Sequence, residues 1–283
     1  MRTTLRLAVA VVAIAALPAA ADLQVVAEVP FAGPGRFPSA VAVDPVERKA
    51  FVAVGGLAPA LRVIDMDTLA VREIPLAGWP MALLADAARG RVHVLNRPDI
   101  FGEEKNRLAV IDTRNETVVA DVGAGGYSAH WAADFGRREI YVSDDRALVT
   151  IDADTYRIKA RINVGIAAAG IAVDRVRQRI VVGNQSAGDA RVAVVDTRTA
   201  TVASWPHAMG RDDGSAPDGS YATAWPVVDE RSGAVYMQHD GSELTLLLPP
   251  DYVPAREFDR RDTWFLEDQA SFSAAWNRLY QIG

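Results

Sequence analysis

Asp134-Phe-Gly-Arg-Arg-Glu-Ile-Tyr-Val-Ser-Asp144, followed by Thr150-Ile-Asp152 and then Ile158-Lys-Ala-Arg-Ile-Asn-Val-Gly165, is the stretch on which the fold turns. It contains three short runs rich in β-branched and aromatic residues, separated by Asp, Gly and basic residues of the kind that close tight turns. The pattern recurs. Five times an Asp ends an apolar stretch and a second-strand residue follows seven positions later: Asp44 to Phe51, Asp86 to His93, Asp134 to Tyr141, Asp174 to Val181 and Asp229 to Tyr236, with Ser273 to Tyr280 as a sixth copy. Ahead of each Asp lies a first strand, such as Ala40-Val-Ala-Val43. A third element follows as Val63-Ile-Asp65, Val110-Ile-Asp112, Thr150-Ile-Asp152 and Val194-Val-Asp196. A fourth follows as Val71 to Gly78, Val118 to Gly123, Ile158 to Gly165 and, more loosely, Val202 to Gly210.

Four strands per unit at a period of 40 to 55 residues predict an all-β β-propeller of four-stranded blades. About six blades are expected, five complete and the sixth incomplete. A helical solenoid would need a 3.6-residue period, which these runs lack. After the fifth unit, residues 270 to 283 supply only a first and a second strand, while Leu23 to Gly33 reads as a lone fourth strand. That arrangement suggests either closure by residues 23–30 or a natural chain that continues into a seven-bladed ring, and the second is the expectation because an unpaired apolar edge invites aggregation.

At these residues the chain resembles the YVTN family of β-propellers. The features are Trp79-Pro80, Tyr141-Val-Ser-Asp144, Val94-Leu-Asn96, Val182-Gly-Asn184 and Val110-Ile-Asp-Thr113, and the likeness runs over essentially residues 23 to 283. The fifth unit departs most: Leu244-Thr-Leu-Leu-Leu248 replaces Val-Ile-Asp, and Pro249-Pro250 follows. The resemblance implies the fold and leaves activity open, since the family is functionally mixed.

Composition narrows the function classes. The 283 residues are 50% hydrophobic and 23% charged, enough for a large core. Lys and Arg total 30 against 36 Asp and Glu, a net charge of −6, which is the wrong sign for nucleic acid. The chain has no cysteine, which excludes disulfides, thiolate metal sites and cysteine nucleophiles. Residues 1–21, with Arg2, Arg6, an apolar run from Leu7 to Leu17 and the small residues Ala19 to Ala21, read as a secretory signal peptide. The run is too short to span a bilayer. Cleavage after Ala21 would leave one propeller domain over residues 22–283, exported to the periplasm or beyond, with 28 basic and 36 acidic residues.

The Asp-to-second-strand spacing is constant, and the third-to-fourth turn varies little. The variable connections are 97–106, between second and third strands, and 211–219, between the fourth and fifth units. Both kinds of connection emerge on one face of an up-and-down blade, so that face is expected to carry a ligand or partner site. Four positions before each repeating Asp stand Ala40, Ala82, His130, Gly170, Trp225 and Gln269. Against the small residues Ala40, Ala82 and Gly170, His130 and Trp225 stand out, as a ligand-contacting pair or, the stronger reading, as packing aromatics. Three positions after the second-strand aromatic stand Val54, Asn96, Asp144, Asn184, His239 and Gly283. Asn96, Asn184 and His239 join His130 and Trp225 as candidate ligand-binding residues, although Asn and Asp also close turns there. His93 is expected to be a half-buried sheet residue.

The segment 212–219 resembles a calcium loop in composition only, without the order of one. No nucleophile elbow, phosphate loop, zinc-protease motif or haem attachment motif occurs, so no catalytic residue, metal or cofactor is assigned. The leading reading is an exported binding or scaffold protein with a small-molecule or protein partner. The rival follows from propellers similar to this one that hydrolyse lactones or serve quinoprotein dehydrogenases. Under it His130 would be a general base and Asp144 or His239 its orienting group.

Overall fold

Strands that are apolar on both faces must be covered on both faces, and this requirement organises the structure. A computed structural model describes residues 28–29, 36–98, 104–125, 130–184, 191–206, 224–239, 244–250, 252–258, 270–273 and 278–281. Among them the fold is all-β, with one short 3-10 turn at Ala87–Arg89 and no α-helix. Five four-stranded antiparallel sheets follow one another along the chain, each meandering from first strand to fourth, as expected of propeller blades.

The first sheet holds β1 (Arg36–Asp44), β2 (Lys49–Gly56), β3 (Ala60–Asp65) and β4 (Val71–Pro75). The second holds β5 (Trp79–Asp86), β6 (Arg91–Arg97), β7 (Arg107–Asp112) and β8 (Thr117–Gly123). The third comprises β9 (Trp131–Asp134), β10 (Glu139–Asp144), β11 (Ala147–Asp152) and β12 (Ile158–Asn163), and the fourth β13 (Ala168–Asp174), β14 (Arg179–Asn184), β15 (Arg191–Asp196) and β16 (Val202–Pro206). The fifth has β17 (Ala224–Val228), β18 (Val235–His239), β19 (Leu244–Leu248) and β20 (Val253–Phe258). An antiparallel pair, β21 (Ala270–Ser273) and β22 (Arg278–Gln281), comes after it.

The chain divides into two compact units: residues 1–102 with 109–121, and residues 103–108 with 122–283. In the first, Phe51 and Ala53 of β2, Leu61 and Val63 of β3, and Leu83, Val92, Val94 and Ile111 of the second sheet form one core between the two sheets. The opposite face of β2, Ala50 and Val52, packs with Ile64 and with Val29. In the second unit, alternation along β14 feeds two cores. Ile180 and Val182 meet Tyr141, Leu148 and Ile166 on one side, while Val181 meets Val235, Met237, Leu247 and Tyr252 on the other. Along β14 the period of two that defines a strand thus packs the fourth sheet against both the third and the fifth.

Fourth strands behave differently. β4, β8 and β12 are largely exposed, which places them at the outer rim of their sheets. First strands lie next to one another instead: β1 beside β5 in the first unit, and β9 beside β13, β13 beside β17 and β17 beside β21 in the second. Residues on first strands therefore converge.

Candidate functional site

That convergence brings together the two aromatics the repeat singles out. His130 directly precedes β9, and its carbonyl accepts hydrogen bonds from the Ser143 backbone N–H and Oγ–H, both at 3.1 Å. Trp225 is the second residue of β17, paired with Gln238 of β18. The two rings meet edge to face, centroids 6.1 Å apart and planes at 64°. β13, which lies beside both β9 and β17, carries Gly170 at the equivalent position and so adds no side chain there. Both residues are half-buried. Burial pushes the His130 imidazole below its ordinary pKa, so it is neutral at pH 7. A neutral imidazole can donate from one nitrogen and accept at the other, and the indole adds a donor and an apolar face, which suits recognition of a small polar ligand.

Asp144, the last residue of β10, belongs to a different cluster. Its buried carboxylate accepts from the Arg161 guanidinium and lies 3.7 Å from Lys105 Nζ, beneath Gly125, whose backbone is left-handed at φ 78°. The carboxylate is thus held by two cations.

Asn184 ends β14 opposite Ala168 and is fully buried. His239 ends β18 opposite Ala224, and its side chain is outside the described residues. Asn96 belongs to the first unit. It sits opposite Pro80, 3% exposed, with Oδ1 lacking a partner. His93 lies inside β6 and is more deeply buried than half, at 1% exposure; burial holds its pKa down to about 4. Of the two variable connections, residues 99–103 and all of 211–219 lie outside the described residues, as do Gln269 and Gly283.

The repeating Asp residues are structural. Asp44, Asp134, Asp174 and Asp229 are buried at the ends of their first strands, and the Oδ1 of each accepts from backbone N–H groups two or three residues on: Val46 at 2.9 Å, Arg137 at 3.2 Å, Arg177 at 2.9 Å and Arg231 at 3.0 Å. Third-strand Asp65, Asp112, Asp152 and Asp196 close the next turn in the same way, to Thr68 at 2.8 Å, Asn115 at 2.8 Å, Thr155 at 2.7 Å and Arg198 at 2.9 Å. Bonds from backbone N–H groups hold Asp65, Asp112 and Asp152 below the usual carboxylate range, and for Asp196 the Arg198 side chain contributes most. Among the described residues no group of three His, Asp or Glu could hold a metal ion.

One constellation escaped the sequence reading. Phe37 of β1 and Trp79 of β5 lie nearly parallel, centroids 6.5 Å apart and planes at 19°. Phe37 is 57% exposed. Both stand seven residues before the repeating Asp of their unit, so a comparison of the copies at that position would have found them.

No protein-family model matches the sequence, and no curated protein matches it. Among solved structures, the chain is similar to one from the crystal structure of a nidogen/laminin complex, at 13% identity and a TM-score of 0.52, over 87% of this chain and 84% of that one. At that identity the likeness shows the fold alone, and the fold is a β-propeller.

Proposed function

We propose that the protein is an exported binding protein built on a propeller of the YVTN type. Its ligand site is centred on His130 and Trp225, on the face to which the sequence assigns the connections 97–106 and 211–219. The observation that carries this reading is the edge-to-face pair at 6.1 Å, formed by the two ring-bearing residues that the repeat places at this position, His130 and Trp225. A half-buried neutral imidazole beside an indole offers both hydrogen bonds and apolar surface without a nucleophile. That the similar solved chain comes from a complex of two proteins supports a binding role.

Two experiments test it. Tryptophan fluorescence of the purified chain is screened against a panel of small polar metabolites, and hits are titrated into His130→Ala and Trp225→Ala. A site at this pair predicts at least tenfold weaker binding in both variants with melting temperatures lowered only moderately; equal loss of folding and binding would make the pair a packing contact. For export, N-terminal sequencing of the secreted fraction should begin at Asp22, and a retained Met1 there would refute it.

A further inference from the structure

We propose that Phe37, Trp79 and Arg97 form a second binding site, selective for a carboxylate carried on a ring. Three observations in the first unit carry this. The first is the aromatic platform: two nearly parallel rings, with more than half of Phe37 open to solvent. An exposed phenyl ring stacked on a half-buried indole offers an apolar surface of the kind that marks a binding site.

The second is that the sheet is shaped to seat that platform. Phe37 pairs with Gly55 across β1 and β2, and a Cβ at Gly55 would fall inside the Trp79 indole. Only glycine there leaves the indole its place. On the other side, Gly78 lies so close to the Arg97 carbonyl, 2.7 Å from where its Cβ would be, that the chain entering β5 can press against the end of β6.

The third is a cation with no carboxylate partner among the described residues. Arg97 stands directly opposite Trp79 in the β5–β6 ladder, so the two side chains leave the same face of the sheet as neighbours. Its Nε is shielded from water and has no hydrogen-bond partner, and among the described residues no carboxylate pairs with it. Elsewhere in this unit Arg48, Arg62, Arg72, Arg89, Arg91 and Arg114 each pair with an Asp or Glu. In a chain with more acidic than basic residues, an arginine that no carboxylate among the described residues pairs, standing beside an aromatic platform, points to an anion supplied from outside. Guanidinium binds carboxylate through two parallel hydrogen bonds, and the two rings would stack on the apolar face of a ring bearing it. Sugar acids and aromatic acids share this chemistry.

The test is calorimetric titration of the full chain with a galacturonate oligomer and with 4-hydroxybenzoate, each against its uncharged counterpart, a galactose oligomer and 4-hydroxybenzyl alcohol. At least one acid should bind at least tenfold more tightly than its neutral counterpart, and the better acid identifies the source. Arg97→Gln should erase that preference, and Trp79→Ala should abolish binding while Trp79→Phe, which keeps a stacking face, retains most of it. Trp225→Ala, in the other unit, should leave it unchanged. Binding of neither acid, equal binding of acid and neutral counterpart, an unaltered preference in Arg97→Gln, or loss of binding in Trp225→Ala would each overturn the proposal.

Discussion

Lys49 at the start of β2 and Glu116 in the turn between β7 and β8 lie 2.8 Å apart, nitrogen to oxygen, with both side chains almost wholly shielded from water. The ammonium also donates to the Thr113 carbonyl at 2.7 Å and the Arg114 carbonyl at 3.3 Å. Glu116 has a second cation, Arg72, at 2.7 Å. The partnership is therefore unequal: Lys49 depends on one carboxylate, whereas Glu116 is served by two cations. Breaking a buried pair by removing one member strands the other charge, at a cost of about 3 kcal/mol or more. Glu116→Gln should cost about that much, and Lys49→Met clearly less, because Arg72 continues to neutralise Glu116. Urea denaturation of the two variants gives the order directly, and the reverse order would show that this account of the pair is wrong.

His93 makes stability depend on pH. Its folded-state pKa, about 4, is below the ordinary 6.5 because burial disfavours the charged ring. The unfolded chain then binds the proton more readily than the folded one, so stability is full above pH 6.5 and declines as pH falls toward 4, by about 3 kcal/mol in all. Glu139 acts in a lower window. Burial alone would raise its carboxyl, but hydrogen bonds from Lys159, Tyr141 and Arg137 outweigh that and hold it below the usual range, so its contribution is lost only below its ordinary value of 4.5. His93→Phe, which supplies the aromatic type found at Phe51 and Tyr141, should flatten the stability curve between pH 6.5 and 4.5 while leaving the steeper acid limb. Denaturant midpoints measured across that range decide it.

The hydroxyl of Tyr141 donates to Glu139 at 2.6 Å from within the core between the third and fourth sheets. Burial and that bond push its pKa up, so it stays protonated and remains a donor. Tyr141→Phe should keep the packing and remove one charge-assisted bond, costing about 2 kcal/mol. It should also raise the midpoint of the Glu139-dependent acid limb, since the carboxylate loses one of the donors that favour its charged form. An unchanged acid limb would exclude Tyr141 from that role.

How legible all this was depends on distance along the chain. The Asp-closed turns were legible because donor and acceptor lie within three residues and recur in each unit, so Asp152 and Thr155 explain each other locally. Sheet architecture followed from the same register. The approach of His130 and Trp225 was only half legible: equal positions in two copies say that they occupy equivalent strands, but the 6.1 Å separation also needs the small Gly170 strand between them. Long-range pairs such as Lys49 and Glu116 leave no local mark, because either residue alone is an ordinary surface charge in sequence. Phe37 and Trp79 were missed for another reason. They sit just ahead of register shifts, Pro38/Ala40 and Pro80/Ala82, where the alternation that guides the eye is broken.

The third-to-fourth strand turn stores strain that can be removed. Leu69, Glu116, Tyr156 and Ala200 each stand four residues after the third-strand Asp, and all four are left-handed, with φ of 57° to 60°. At the corresponding place in the first-to-second turn two copies use glycine, Gly90 and Gly233, at φ 61° and 80°. For a residue with a Cβ this conformation costs about 1 kcal/mol, and only part is offset by the lower entropy such a residue has when unfolded. The geometry is imposed by the Asp: Asp65 Oδ1 accepts from Asp67 and Thr68, and the Leu69 N–H then reaches the Asp65 carbonyl at 2.8 Å. Leu69 is 46% exposed, so its side chain contributes little packing. Leu69→Gly should therefore raise the stability of the chain by about 0.5 kcal/mol, whereas Leu69→Val, whose β-branch crowds the left-handed backbone further, should lower it by about 1 kcal/mol. Asp65→Ala combined with Leu69→Gly tests the cause. With the Asp gone the turn loses the bonds that hold position 69 left-handed, so the gain from glycine should shrink; an undiminished gain would mean that something other than the Asp-closed turn imposes the strain.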